Sequence, residues 1–160
     1  MGHKIRRATI DDLKNIQELN LMLFKEEYDK YDKTLDCGWT FGVKGEACFK
    51  ERIVQDGGFV AIAEVDNKVV GYLAGSIVKP ASYRKLSGLA ELENMFVEEE
   101  FRNKGIGTEL YNVFVDWCRS RKVNRLRVVA SSQNSKGINF YNKKGLKNYD
   151  ISLGSDIQEV

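Results

Sequence analysis

The chain of 160 residues has 25 basic and 23 acidic side chains, and its formal charge of +2 argues against a polycation that binds nucleic acid through bulk charge. A hydrophobic share of 42% with 30% charged residues is typical of a globular protein that buries its core without disulfides. Three cysteines and a single histidine, without paired spacing, predict neither a disulfide framework nor a metal site. No apolar run approaches the ~20 residues that span a bilayer, so we expect a cytoplasmic protein that does not bind membranes.

The first part of the chain predicts a strand followed by helices. The strand lies around residues 4–8, and Thr9-Ile10-Asp11-Asp12 resembles a capping box at the start of a helix. Residues 46–55 predict a second helix, which Asp56-Gly57-Gly58 ends. Apolar residues repeat at helical spacing along the first helix: Ile10, Leu13, Ile16, Leu19, Leu23 and Phe24.

The middle of the chain predicts an antiparallel hairpin and a further strand. Residues 59–65 and 68–78 have strand composition, and Asp66-Asn67 between them is a favourable tight-turn pair. Pro80 ends the second strand because proline has no backbone N–H to donate. Residues 89–97 form the next predicted strand.

The last third predicts the order helix, strand, helix, strand. The strand covers residues 125–130, a short helix carries Phe140 and Tyr141 with Gly145 as its cap, and residues 146–153 form a final strand. The preceding helix has an apolar face of Ile106, Leu110, Val113, Phe114 and Trp117. We therefore expect one α+β domain over residues 1–160, an α/β/α sandwich with a mixed, mostly antiparallel central sheet and helices on both faces.

A glycine turn between the strand of residues 89–97 and the helix after it predicts an anion site. The first N–H groups of a helix lack intrahelical partners, and the helix dipole adds positive charge there. Gly105 and Gly107 let a diphosphate approach the backbone closely, while Arg102 and Lys104 add formal charge. The spacing fits neither a Walker loop nor a dinucleotide fingerprint, whose third glycine is replaced by Leu110.

Two stretches resemble the GNAT (Gcn5-related) N-acetyltransferase family. Arg102-x-x-Gly105-x-Gly107 matches the R/Q-x-x-G-x-G/A signature of that family, in the expected place between a strand and a helix. Asn134, Phe140-Tyr141 and Gly145-Leu146 look like its N…FY…GF ending, with Leu146 in place of a common phenylalanine. The resemblance covers most of the chain and is most specific over residues 89–146.

The resemblance implies that acetyl-CoA lies between two splayed parallel strands, here residues 92–97 and 126–130. A bulge in the first of them would separate the two. The backbone of the first strand would pair with pantetheine, and the glycine turn would hold the diphosphate. Lys144 would meet the nucleotide phosphates, unless it is an ordinary residue of a solvated helix face. The implied binding residues are Met95, Phe96, Val97, Arg102, Asn103, Lys104, Gly105, Ile106, Gly107, Thr108, Asn134, Tyr141 and Lys144.

The resemblance also implies direct attack of an amine on the thioester. Tyr141 would act as the general acid toward the leaving thiolate; the alternative is a ring that is only packed on its helix. Glu91 and Glu93 share one strand face and are candidates for the base, directly or through a water; the alternative is an ion pair with an arginine. The resemblance does not decide between them. The cysteines have no histidine partner, which disfavours a covalent mechanism.

The acceptor in this family is bound mainly by the early helices and loops. Here that region mixes acidic and aromatic side chains, which predicts a small cationic amine; the alternative is an ordinary polar helix and loop. A protein or peptide amine, and a CoA-binding sensor without catalysis, are the alternatives; homodimers are common in the family. The side chains are Glu26, Glu27, Asp29, Asp32, Asp36, Tyr28, Tyr31, Trp39 and Phe41.

Overall fold

The computed structural model describes residues 2–158, in which one five-stranded sheet is combined with four α-helices. Contacts divide the chain after Val129 into two compact units, and the sheet belongs to the first. The strand order is β1-β2-β3-β4-β5; only the β4–β5 pair is parallel. The strands are β1 (Lys4–Arg7), β2 (Gly58–Val65), β3 (Lys68–Val78), β4 (Leu89–Val97) and β5 (Arg125–Val128). The helices are α1 (Leu13–Lys30), α2 (Val43–Val54), α3 (Ile106–Ser120) and α4 (Ser135–Lys143).

The predicted hairpin and the first helix start are confirmed. Asp66 and Asn67 have φ angles of 49° and 65°, both in the left-handed region that a two-residue hairpin turn requires. At the start of the first helix, the backbone N–H of Thr9 donates to Asp12 Oδ2 at 2.8 Å. This contact satisfies one of the backbone donors that a helix start leaves without a partner.

The first unit has helices on both faces of its sheet. One face carries α1 and α2, whose Ile16 and Phe49 pack in a core with Tyr72 of β3. On the other face, the ring of Phe59 lies 5.3 Å from that of Phe114 in α3. The period-two alternation of strand side chains explains this division, because neighbouring strand residues point to opposite faces. The sandwich architecture predicted from the sequence is thereby confirmed.

A bulge interrupts β4 where its ladder with β5 ends. Leu92 pairs with Gly75 and Asn94 pairs with Ala74, so Glu93 is an extra residue without a partner on β3. The parallel ladder to β5 covers Leu89–Leu92 and stops there, while β4 continues to Val97. The edge of β4 opposite β3 therefore has no ladder to β5 over residues 93–97.

The second unit contains α4 and an extended C-terminal segment. Gly145 has a φ of 92°, and Leu146 N–H donates to the Tyr141 carbonyl at 3.1 Å, which is the predicted glycine cap. The predicted strand over residues 146–153 is wrong, because no strand is assigned there. Its alternation of apolar residues provides a face but no pairing partner, and Ile151 is 84% exposed. The prediction of a single domain stays a prediction.

Candidate functional site

The turn between β4 and α3 is built from residues with unusual backbone angles. Asn103 and Gly105 have φ angles of 61° and 85°, both in the left-handed region, immediately before α3 begins at Ile106. Such angles are accessible to glycine without strain and are tolerated by asparagine, which explains both residue types at this turn.

The N-terminus of α3 is open to an anion. Gly105 is the N-cap residue and has no side chain to cap the helix. An added Cβ on Gly105 would meet no atom within 4 Å, so the space beside the turn is clear. Glu109 N–H donates to the Gly105 carbonyl at 3.0 Å, so the amides of Ile106 and Gly107 precede this first α-helical hydrogen bond; Thr108 follows them in the first turn of α3. Their position at the positive end of the helix dipole suits a diphosphate.

The two cations of the turn are held by protein groups. Arg102 donates from Nη2 to Glu26 Oε2 at 2.7 Å and from Nε to the Val97 carbonyl at 2.8 Å. Lys104 Nζ donates to the Glu100 carbonyl at 3.0 Å. The structure therefore gives both side chains partners within the first unit, and their contact with phosphate stays a prediction.

The three predicted backbone contacts of β4 lie beyond the bulge. Met95, Phe96 and Val97 pair with β3 on one side, while the ladder to β5 has already ended at Leu92. Phe96 is 8% exposed, and its side chain packs in the core on the α1 face. Its side chain thus serves the fold, which agrees with a binding role for the backbone alone.

Glu93 and Glu91 are held by different arginines. Glu93 accepts hydrogen bonds from Arg52 Nε of α2 at 2.9 Å and from Ser76 Oγ of β3 at 2.8 Å. Glu91 accepts from Arg127 Nε of β5 at 2.9 Å. Arg52 and Ser76 are partners that the sequence does not reveal, because neither is near Glu93 along the chain. The ion pair considered as an alternative is present at both positions, and assignment of the base stays a prediction.

The remaining predicted site residues lie in the second unit. Asn134 is the N-cap of α4, and its Oδ1 accepts from the Gly137 N–H at 3.0 Å. The rings of Tyr141 and Phe140 meet edge-on at 5.2 Å between centroids, and Lys144 Nζ lies 5.4 Å from the Phe140 ring. These local contacts order the end of α4, and their roles toward acetyl-CoA stay predictions.

Cys118 and Cys48 have the properties of structural residues. Cys118 is buried in α3, and burial raises its pKa to about 11. Burial also raises the pKa of Cys48. A thiol in such a place is mostly protonated and a poor nucleophile at neutral pH.

Within residues 2–158, no cluster of three or more histidine, cysteine or carboxylate side chains could hold a metal ion. None of the helices in that range combines the length and apolar character needed to cross a membrane.

The acidic side chains at the end of α1 and just after it make different contacts. Glu26 binds Arg102 and Lys30, whereas Asp32 accepts from the Thr34 hydroxyl at 2.6 Å. The carboxylate of Glu27 has no hydrogen bond or ion pair with any residue from 2 to 158. Burial, and then the charges of Glu26 and Asp32, raise the pKa of Glu27.

The aromatic side chains of this region also divide. Trp39 stacks on Phe24 at 6.0 Å and meets Phe49 edge-on at 6.1 Å, so it contributes to the core. Phe41 remains 47% exposed and Tyr28 36% exposed. Lys33 Nζ already lies 4.6 Å from the Tyr28 ring, so Phe41 is the more accessible of these two rings.

Comparison with known proteins agrees with this geometry. An uncharacterised N-acetyltransferase of Methanocaldococcus jannaschii is 29% identical over 154 residues, which is 95% of this chain and 64% of that protein. The tetramutant of the BH1408 protein from Bacillus halodurans has a similar fold, with a TM-score of 0.80 at 15% identity, covering 96% of this chain and 99% of that one. So does the aminoglycoside N-acetyltransferase AAC(6')-Iy in complex with CoA, with a TM-score of 0.76 at 18% identity, covering 98% and 95%.

The open helix start, the bulged strand and the short parallel ladder thus occur in a chain that is similar to N-acetyltransferases along most of its length. The sequence profile described as the acetyltransferase (GNAT) family matches residues 13–146, which include the glycine turn and the Phe140-Tyr141 pair. The chain therefore belongs to the GNAT acetyltransferase family.

Proposed function

We propose that this protein transfers an acetyl group from acetyl-CoA to a primary amine, with a small cationic amine as the acceptor. The observation that carries the proposal is the uncapped start of α3 at Gly105, beside the end of a strand whose parallel ladder has stopped. Main-chain donors at a helix start suit a diphosphate, and a free strand edge suits the amides of pantetheine. Both features lie in the first unit, within one continuous stretch of chain.

Acetyl-CoA would supply an acetyl group that is already activated as a thioester. The protein's task is then to orient the donor, to deprotonate the amine and to protonate the leaving thiolate. In the proposed arrangement, the amides of Ile106 and Gly107 bind the diphosphate, and the backbone from Met95 to Val97 aligns the pantetheine. A main-chain N–H of β4 would meet the charge that develops on the acetyl oxygen.

Glu93 and Tyr141 are the proposed base and acid. Glu93 lies at the bulge, and its contacts to Arg52 and Ser76 fix the direction of the carboxylate. A water between Glu93 and the ammonium would carry the proton away. Tyr141 matches the family's Phe-Tyr pair, and a phenol with an ordinary pKa of ~10 protonates a thiolate of ~8.5 with a small energetic penalty. The amine attacks directly, and no cysteine takes part.

The Glu27 carboxylate supports a cationic acceptor. It is partly buried in the last turn of α1, where the negative end of the helix dipole opposes a carboxylate. The ion pairs formed within residues 2–158 leave this charge without a cation, whereas neighbouring Glu26 has two. An ammonium ion would relieve that cost. AAC(6')-Iy, which has a similar fold, was crystallised with a bisubstrate analogue, CoA-S-monomethyl-acetylneamine.

An amine panel with acetyl-CoA tests the proposal. Thiol release should be fastest with polyamines and other small cationic amines, and slower with lysine-containing peptides or peptide N-termini. Glu27→Gln should raise the KM for the preferred amine about tenfold, because one charged contact is lost, with a smaller change in kcat. Tight CoA binding without turnover of any amine would instead identify a sensor. A peptide turned over faster than every small amine would reassign the acceptor.

Separate substitution of each β4 glutamate by glutamine distinguishes the two candidate bases. Glu93→Gln should lower kcat about 10²-fold while the Kd for CoA stays within about twofold, because a general base contributes only to the reaction. Glu91→Gln is the matched control and should change kcat by less than about threefold, since it removes only the contact to Arg127. A larger loss in the Glu91 variant would exchange the two assignments.

A further inference from the structure

The side chain of Arg102 is bonded to groups outside the glycine turn. Its two terminal nitrogens reach both carboxylate oxygens of Glu26 in α1, at 3.2 and 2.7 Å. Its Nε donates to the carbonyl of Val97, the last residue of β4, at 2.8 Å. The guanidinium also lies 5.2 Å from the ring of Phe96. One side chain thus joins α1, the end of β4 and the first residue of the glycine turn.

We infer that Arg102 is a positioning residue: it holds the diphosphate-binding turn against α1 and β4 through Glu26 and Val97, and does not act as the phosphate ligand itself. This inference rests on the proposed CoA site and assigns to Glu26, which lies on a different element, a part in donor binding. The ligand whose binding depends on this pair is a diphosphate ester attached to pantetheine, as in CoA.

The chemistry of the contacts favours positioning over direct binding. Paired N–H donors and a carboxylate form the strongest kind of side-chain ion pair, and both groups are about one third exposed. The Arg102 guanidinium lowers the pKa of Glu26 to about 2, so the pair is charged throughout the neutral range. A phosphate would have to compete with this carboxylate for the same donors.

The positions of the bonded groups explain why the turn depends on this pair. Two of the residues after Arg102, Asn103 and Gly105, have left-handed backbone angles, so the turn has little regular structure of its own. Asn103, Lys104 and Gly105 are exposed to solvent. Ile106 is buried at the start of α3, so the anchor at Arg102 acts together with this packing to set where the amides of Ile106 and Gly107 lie relative to β4.

Glu26→Gln gives opposite results for the two roles. If Arg102 positions the turn, the loss of its partner weakens CoA binding about tenfold, because the turn loses one charge-assisted anchor. If Arg102 is a phosphate ligand, the same variant frees the guanidinium and CoA binds equally well or more tightly. The measurement is the Kd for CoA by isothermal titration calorimetry, which needs no turnover.

Two further variants and one control complete the test. Arg102→Lys keeps the charge but cannot make the paired contacts, and it should weaken CoA binding as much as Glu26→Gln. The double variant should be no weaker than either single one, because both remove the same link. Asp56→Asn breaks another paired arginine contact, to Arg121 just beyond the C-terminal end of α3, and should leave the Kd unchanged.

Pantetheine, which lacks the diphosphate, separates positioning of the turn from general damage. Pantetheine should bind more weakly than CoA, and its Kd should be the same for wild-type protein and Glu26→Gln. Damage to the fold would instead weaken the binding of both ligands. If Glu26→Gln does not fold, Glu26→Asp, whose side chain is one methylene shorter and no longer reaches Arg102 as well, should weaken CoA binding in the same direction. Equal or tighter CoA binding by the Glu26 variants overturns the inference. Wild-type protein that binds no CoA overturns the proposed function itself.

Discussion

Gly105→Val is expected to weaken CoA binding by about a hundredfold or more. The φ of Gly105 is 85°, a conformation that a β-branched residue adopts only with strain. Its side chain would also occupy the open space beside the turn, where an added Cβ meets no protein atom. The substitution therefore both displaces the helix start and blocks the approach of a diphosphate. Calorimetric titration with CoA measures the effect.

Asn67→Val is the matched control for this experiment. Asn67 also has a left-handed backbone, with a φ of 65°, and lies in the first unit at the β2–β3 turn. Both variants should lose about 1–2 kcal/mol of stability from the strained backbone. Only Gly105→Val should lose CoA affinity. Unchanged affinity of a folded Gly105→Val protein would remove the glycine turn from the binding site.

Tyr141→Phe is expected to lower kcat about 10²- to 10³-fold at saturating acetyl-CoA. The substitution removes only the hydroxyl and keeps the ring that packs on Phe140. The loss should therefore appear in the reaction and leave the Kd for CoA within about threefold. The dependence on the leaving group gives an independent readout. A donor with a more acidic thiol needs less help from an acid, so the variant should lose less activity with it.

Tyr83→Phe is the control for the loss of a hydroxyl. Tyr83 lies in the loop between β3 and β4 and is 81% exposed. Its substitution should leave kcat and the Kd for CoA within about twofold of wild type. If Tyr141→Phe behaves in the same way as this control, Tyr141 has no part in the reaction and a water takes the role of the acid.

The sequence predicted the elements that depend on local rules. The hairpin followed from Asp66-Asn67, which adopt the left-handed angles of such turns, and the strand of residues 89–97 was predicted with the bounds it has in the structure. The glycine cap after α4 was predictable for the same reason, since Gly145 has the required positive φ. In each case neighbouring residues in the sequence determine the conformation.

The contacts that orient the site were not predictable in this way. Arg102 meets Glu26 across 76 residues, and Arg52 meets Glu93 across 41. The carboxylate that pairs with each arginine is determined by how α1 and α2 pack on the sheet. The pattern of a single sequence does not contain this information. The strand predicted over residues 146–153 failed for a related reason, because an alternating pattern does not provide a partner strand.

The extra residue in β4 has a consequence for engineering this site. Leu92 and Asn94 pair with consecutive residues of β3, so deletion of Glu93 would leave every flanking pair aligned and would straighten the strand. The bulge that lies where the ladder to β5 ends, and the proposed base, are thus both encoded by position 93. Substitution of Glu93 removes the carboxylate but retains the kink, whereas its deletion removes both at once. A comparison of the two variants would measure how much of CoA recognition comes from the shape of the backbone alone.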